Sequence, residues 1–355
     1  MKNGYRPWWP LLLLPPFVVV AGCTSAGSTA SQTSTSAASS AGSCPVTPVA
    51  DRVLPSVVTI AASGSDGAGT GSGEVIKSDG YILTNNHVIS IAAHGGSVEV
   101  TFADGTSAAA AIVGRDPLTD LAVLKVSQSA NLKPITLGSS DSVQVGEPVI
   151  ALGAPLGLSG TVTSGIVSAM DRTVEVPAED DRSALLVSAL QTDAAINPGN
   201  SGGALVNCSG DLIGVPTAGA TVPTADGGSS AGSVGLGFAI PVNIAKTISD
   251  EIISTGRVSH SYFGIQTLPI PADAAAQAGL KGGLFVAGIV AGGPAAKAGL
   301  QQGDVITEID GQTATTNVQL QELTLTKQPG DTVTIGYARD GATGKTTTVT
   351  LGSQP

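Results

Sequence analysis

From residue 45 to about residue 254 the apolar positions fall in short runs broken by turn residues. Val57-Val58-Thr59-Ile60, Glu74-Val75-Ile76, Tyr81-Ile82-Leu83-Thr84 and Val98-Glu99-Val100-Thr101-Phe102 are rich in β-formers. Ser78-Asp79-Gly80 and Asp104-Gly105 read as the turns beside them. Similar runs recur at 121–126, 149–152, 161–168, 186–192, 205–206 and 212–215. Many short strands with turns between them predict barrels or a sandwich, not an alternating βαβ sheet. One helix closes the segment. Ile244, Ile248 and Ile252 repeat at four-residue spacing, and Gly256 is the expected stop.

The pattern changes at about residue 259. Ala295-Ala296-Lys297-Ala298-Gly299-Leu300 reads as a short helix opened by Pro294 and closed by glycine, and a near copy lies at 275–280 behind Pro271. Asp304-Val305-Ile306-Thr307-Glu308-Ile309 reads as a strand ending at Asp310-Gly311. Val318, Leu320 and Leu323 mark a second helix that stops before Pro329-Gly330, and β-runs at 332–337 and 346–351 close the chain as a hairpin. Together these make a compact α+β module, separate from what precedes it.

At 355 residues the chain is long enough for two such domains. Its 42% hydrophobic and 12% charged residues allow cores to form, with surfaces built largely from serine, threonine, glycine and alanine. The net charge of −11 argues against a nucleic-acid partner, which needs basic stripes to neutralise phosphates. Residues 1–22 read as an export signal: Lys2 and Arg6 carry positive charge, 11–14 and 17–20 are apolar, and small residues follow. Pro15 and Pro16 interrupt that stretch, which is too short to span a bilayer as a helix. Val20-Ala21-Gly22-Cys23 resembles a bacterial lipobox. That implies cleavage before Cys23, lipid on its thiol and anchoring at the outer face of the cytoplasmic membrane. A plain secretory signal is the other reading. Residues 24–43 are almost wholly serine, threonine, alanine and glycine, so 23–44 is expected to be a flexible, disordered tether. Cys44 and Cys208 remain, either joined as a disulfide after export or as free thiols.

The densest chemical signal is Asn197-Pro198-Gly199-Asn200-Ser201-Gly202-Gly203, which runs straight into Ala204-Leu205-Val206. Glycines around a serine let the backbone turn tightly, let a substrate carbonyl come close, and can aim successive N–H groups at one point. A reactive serine needs an imidazole to take its proton and a carboxylate to orient that imidazole. Of the three histidines, His94 precedes Gly95-Gly96 and reads as a loop residue, and His260 lies between the domains and reads as solvated. His87 directly follows a strand, where a rigid element can hold it. Asp120 stands just before Leu121-Ala122-Val123-Leu124 and can point inward from a strand end; Asp116, before Pro117, is expected to serve a turn. Chain order is then His87, Asp120, Ser201. The turn also fits the G-x-S-x-G of α/β-hydrolases, but that fold needs serine, acid and histidine in that order among alternating strands and helices. Only His260 follows Ser201. Ser72, in Gly71-Ser72-Gly73, shows no sign of a reacting centre and reads as a turn. Gly344-Lys345-Thr346 lacks the upstream glycine of a phosphate loop, so no nucleotide is expected; no other cofactor and no metal are expected either.

Thr84-Asn85-Asn86-His87-Val88, Asp120-Leu121-Ala122-Val123-Leu124-Lys125 and Thr192-Asp193-Ala194-Ala195-Ile196-Asn197-Pro198-Gly199-Asn200-Ser201-Gly202-Gly203-Ala204-Leu205 look like the three signature blocks of the HtrA/Deg serine endoproteases. Tyr262-Phe263-Gly264-Ile265 and Ala298-Gly299-Leu300-Gln301-Gln302-Gly303-Asp304-Val305-Ile306 look like that family's PDZ domain. The resemblance implies a mostly β chain: a chymotrypsin-like double β-barrel protease domain at 45–256, its active site between the barrels, then a small α+β PDZ domain at 259–355. It implies a triad of Ser201 as nucleophile, His87 as base and Asp120 as orienting acid, with an oxyanion hole at the N–H groups of Gly199 and Ser201. It places Gly235-Leu236-Gly237-Phe238-Ala239 along the substrate pocket, where Leu236 and Phe238 would favour small aliphatic residues.

In the PDZ domain, Tyr262, Phe263, Gly264 and Ile265 would receive a peptide's terminal carboxylate, and 265–268 would take the peptide as an added strand. Leu320 and Leu323 would either line that pocket or belong to the core. The implied function is ATP-independent cleavage of unfolded or misfolded exported proteins, or of one signalling substrate. A peptide-binding scaffold without proteolysis is disfavoured by the three residues together. Asn200 stands where zymogen-type relatives carry aspartate, so activation by N-terminal cleavage is not expected. Glu74 stands where the family usually has an apolar residue. A homotrimer is implied too, although 46–54 lacks the aromatic residues that family members commonly use.

Overall fold

Residues 57–126 form a sheet that closes on itself around an apolar core. A computed structural model describes residues 44–354, apart from 66, 128–131, 155–159, 178–182, 220–232 and 278. The signal at 1–22, Cys23 and the tether to residue 43 lie outside the described residues. After helix α1 (Val46–Val53) come β1 (Val57–Gly64), β2 (Gly67–Val75), β3 (Tyr81–Thr84), the short helix α2 (Asn86–Ile89), β4 (Ser97–Thr101), β5 (Ser107–Asp116) and β6 (Leu121–Val126). The strands form a closed barrel in the order β1-β2-β3-β6-β5-β4. Val58, Ile60, Val75, Ile82, Val100, Ala122 and Leu124 fill it. Val57, Leu83, Leu121 and Val123 point the other way and pack in clusters shared with the second half. That is the period-two alternation of a strand with a core on each side.

The same strand order then repeats. β7 (Pro148–Gly153), β8 (Thr161–Pro177), β9 (Ser183–Thr192), β10 (Ala204–Val206), β11 (Leu212–Gly219) and β12 (Gly237–Pro241) close as β10-β11-β12-β9-β8-β7. Helix α3 (Val242–Thr255) buries Val242, Ala245, Ile248 and Ile252, so the inward stripe includes Ala245 rather than the predicted Ile244. It ends at Gly256, whose φ of 77° suits glycine and whose N–H donates to the Ile252 carbonyl at 2.8 Å. Cys44 and Cys208 are disulfide-bonded, with Cα atoms 5.1 Å apart. The bond fastens the start of α1 to the turn after β10, and Arg52 on the same helix donates to the Ser209 carbonyl in that turn.

The C-terminal module contains β13 (Ser261–Tyr262), β14 (Ile265–Pro269), α4 (Ala272–Gln277), β15 (Leu284–Ile289), α5 (Pro294–Lys297), β16 (Val305–Ile309), β17 (Gln312–Thr313), α6 (Asn317–Thr326), β18 (Thr332–Arg339), β19 (Ala342–Thr350) and β20 (Gly352–Ser353). Its main sheet runs β14-β15-β16-β18-β19, so β14 is an edge strand. The connection between the halves is not the solvated stretch expected around His260. His260 is 8% exposed, and its Nε2 lies 2.8 Å from Asp116 Oδ1. Asp116 does serve its turn, accepting from Leu118 N–H and from the Thr119 hydroxyl, but it also receives this distant histidine. A sequence-local view could not see a partner 144 residues away.

Candidate active site

Pro198-Gly199 sets the turn that carries the serine. Asn200 N–H donates to the Asn197 carbonyl at 3.0 Å and Gly199 has φ of 98°, the type II geometry that proline followed by glycine favours. A Cβ on Gly202 would collide with the Ser72 carbonyl and Thr84 Oγ1, and one on Gly203 with the Leu152 carbonyl. Glycine is required at both positions because neighbouring backbone comes that close. Asn200 is buried, and its amide donates to the Ala195 carbonyl at 3.3 Å. Among the described residues no acceptor takes the N–H of Gly199 or Ser201.

Imidazole and carboxylate come from the first barrel. β3 ends at Thr84, and α2 carries His87 in its first turn. Asp120 precedes β6 with φ of 59°, a left-handed conformation that aspartate tolerates better than most residues. Its carbonyl accepts Asn85 Nδ2 at 2.8 Å and Asn86 N–H at 3.1 Å. Its Oδ1 accepts His87 N–H at 2.9 Å, and its Oδ2 lies 2.7 Å from His87 Nδ1. The Thr217 hydroxyl donates to that same Oδ2. An ionised carboxylate only accepts, so Nδ1 carries the proton and Nε2 keeps its lone pair. The Asp120 side chain is 5% exposed and that of His87 39%, so solvent reaches the base and not the acid.

Ser201 Oγ donates to the Thr217 carbonyl at 3.4 Å, and among the described residues no hydrogen bond joins it to His87. Thr217 therefore touches both Asp120 and Ser201. Sequence reasoning missed it, and the one available signal was a polar side chain inside the buried run of β11.

Ser72 also departs from expectation. It lies within β2 with no exposed surface, and its hydroxyl donates to the Gly199 carbonyl at 2.6 Å while accepting Ala154 N–H at 2.8 Å. Glu74, on the same face of β2, is fully buried, yet neither carboxyl oxygen has a partner among the described residues. Burial pushes its carboxyl well above the usual range. His94 is exposed in a turn.

Leu236, just before β12, is 42% exposed. Phe238, in β12, is partly buried. It packs against the cluster of Leu83, Val215 and Ile240, because alternation in β12 sends Ala239 to the core that holds Ile196 and Phe238 to the opposite one. In the C-terminal module Gly264 turns the chain with φ of 72°, and its carbonyl accepts Val290 N–H at 2.9 Å. Tyr262 pairs with Gly352, and Phe263 is a buried core residue. Ile265 begins β14 and is partly buried against that core. Leu320 is 7% exposed and belongs to the same core, while Leu323 packs on it partly buried. At the open side of β14, Thr267 Oγ1 lies 2.7 Å from Asn317 Oδ1, and the Thr267 carbonyl accepts Asn317 Nδ2 at 3.1 Å.

The family model of the trypsin-like peptidase domain matches residues 71–215, and that of the PDZ domain matches 262–351. The solved HtrA-type protease AlgW with decapeptide aligns at a TM-score of 0.67 and 34% identity, covering 86% of this chain and 98% of that one. The chain belongs to the HtrA-type proteases. Among HtrA-type relatives, serine protease PepD of Mycobacterium tuberculosis is 43% identical over 310 residues, which is 86% of this chain and 65% of PepD. A probable periplasmic serine endoprotease, DegP-like, of Pseudomonas fulva is 39% identical over 287 residues, 80% of this chain and 56% of that protein. The chain thus spans between about half and two-thirds of the length of these curated relatives. Its HtrA-type protease domain holds a buried Asp120, a part-exposed His87 and a glycine-framed Ser201, with Thr217 in contact with Asp120 and Ser201.

Proposed function

We propose that this HtrA-type chain is an ATP-independent serine endopeptidase of the cell envelope that cleaves unfolded or misfolded exported proteins. The observation that carries the reading is the Asp120–His87 pair, which fixes one tautomer on an imidazole that solvent still reaches. For attack, Ser201 Oγ–H leaves the Thr217 carbonyl and passes its proton to His87 Nε2 as Oγ bonds to the peptide carbonyl carbon. The N–H groups of Gly199 and Ser201 hold the oxyanion. His87 then returns the proton to the departing amine, and water, activated by the same imidazole, releases the acyl group. Edge strand β14 is the surface on which a peptide C-terminus would add as a further strand, with Tyr262, Phe263, Gly264 and Ile265 at its carboxylate end.

Relatives named as periplasmic endoproteases support an exported location, and the lipobox at Cys23 adds a lipid anchor to it. Cys23→Ala should move the protein from the membrane to the soluble fraction; unchanged fractionation removes the anchor. A homotrimer follows from the family likeness, and sedimentation of the exported chain would read it. A fluorophosphonate should label the intact protein and not Ser201→Ala, whose turnover of unfolded casein should fall on the order of a millionfold. Absence of labelling in the intact protein would defeat the protease assignment. Equal cleavage of unfolded casein and a folded control would count against quality control.

A further inference from the structure

Ser72 lies far from the substrate-facing side of the triad, yet it holds the oxyanion turn from below. It is a first-barrel residue with no solvent contact; two of its groups bond the backbone of the serine turn and a third the Thr84 side chain. Its hydroxyl donates to the Gly199 carbonyl at 2.6 Å and its N–H to the Ser201 carbonyl at 2.9 Å. Its own carbonyl accepts the Thr84 hydroxyl at 2.7 Å, on the strand end that leads to His87. The hydroxyl is itself oriented by Ala154 N–H at 2.8 Å, from the end of β7. The two carbonyls it grips belong to the very residues whose N–H groups have no acceptor among the described residues.

Resting on the protease reading above, we propose that Ser72 is a positioning residue for the oxyanion hole: its hydroxyl and N–H pin the Gly199–Ser201 turn so that both N–H groups converge on the developing oxyanion. The physical need follows from Gly199. A glycine at φ of 98° has no Cβ to restrict it, and peptides in such turns can rotate. Oxyanion stabilisation depends on donors already oriented before charge develops. The Asn197–Asn200 turn bond restrains one side of Gly199, and Ser72 restrains the other. Ser72 has no solvent contact, so losing its hydroxyl would leave the Gly199 carbonyl and the Ala154 N–H without that partner. This chemistry predicts a change in transition-state binding without a change in how the peptide docks or how His87 titrates.

The test compares full-length wild type with Ser72→Ala and Ser72→Cys, the second keeping side-chain volume and a weak donor. Competent sites are first counted by fluorophosphonate titration carried to completion, so misfolded molecules drop out of the rate. Per titrated site, turnover of unfolded casein by Ser72→Ala should fall about 10- to 100-fold, less than deletion of a direct oxyanion donor. KM and the acid limb of the pH–rate profile should stay put, and Ser72→Cys should fall between the two proteins. Affinity for phenylboronic acid, which forms a tetrahedral adduct on the serine, should drop by a similar factor. Turnover per site within twofold of wild type in both variants overturns the proposal. So does a loss confined to KM or to the number of titratable sites. A wild-type chain that neither labels nor cleaves casein removes the protease reading itself, and the role of Ser72 with it.

Discussion

Asp120 and Glu74 are carboxyl groups of one barrel, 3% and 0% exposed, and they differ in everything but burial. Asp120 sits where a turn meets a strand and receives His87 N–H, His87 Nδ1 and the Thr217 hydroxyl. Glu74 is paired in register with Val57 and Leu83 on the wall that faces the second barrel, and receives no donor among the described residues. The strongly perturbed group is Glu74, held protonated by desolvation, and it is not the one at the reacting centre. A search for reacting groups by perturbed titration alone would pick Glu74, which has no donor among the described residues. Function follows the donors a carboxylate collects, and those come from two barrels at once.

Asp120→Asn should have the largest effect. It keeps the shape but places an amide donor where His87 needs an acceptor, so turnover of casein should fall about 10,000-fold. A loss below tenfold would mean that its partners do not set its role.

The PDZ domain supplies a satisfied counterpart to Glu74. Burial pushes the Asp304 carboxyl up, but Arg339 at 2.6 and 2.7 Å, Gln301 N–H at 2.7 Å and the charges of Arg339 and Lys345 outweigh it and hold it below its ordinary value. A lowered acid adds stability above its unfolded value, about pH 3.9, and loses it as pH falls through the folded one. Asp304→Asn should therefore destabilise the PDZ domain by about 2–3 kcal/mol at pH 7, read by urea unfolding. A neutral result would show that the partner set adds nothing.

Glu74 has the opposite sign. Its contribution is complete below the unfolded value, about pH 4.3, and is lost as pH rises through the raised one. Glu74→Leu should stabilise by about 1–3 kcal/mol at pH 8 and by less at pH 4, with turnover unchanged. Equal gains at both pH values would show that its proton is not involved. The smallest change is expected from Thr217→Val, which removes one donor from Asp120 Oδ2 and should lower turnover about tenfold while the melting temperature holds.

His87, Asp120 and Ser201 were legible along the chain because each sits in a short stretch whose glycines, turn residues and strand starts constrain the local backbone. Gly199, Gly202 and Gly203 speak for close approach before any neighbour is known. The strand runs likewise spelled out an all-β first half and an α+β second half. Ser72, Thr217 and His260 were not legible as partners, since what they touch lies 127, 97 and 144 residues away. Alternation in β12 gives Phe238 and Ala239 opposite faces without saying which core each meets. Local chemistry and element type were thus decided by the order of residues, through turns, caps and periodicity. Which strand faces which barrel was decided only by closure of the two sheets and their packing, and that contact determines whether a buried polar group is held, as at Asp120, or orphaned, as at Glu74.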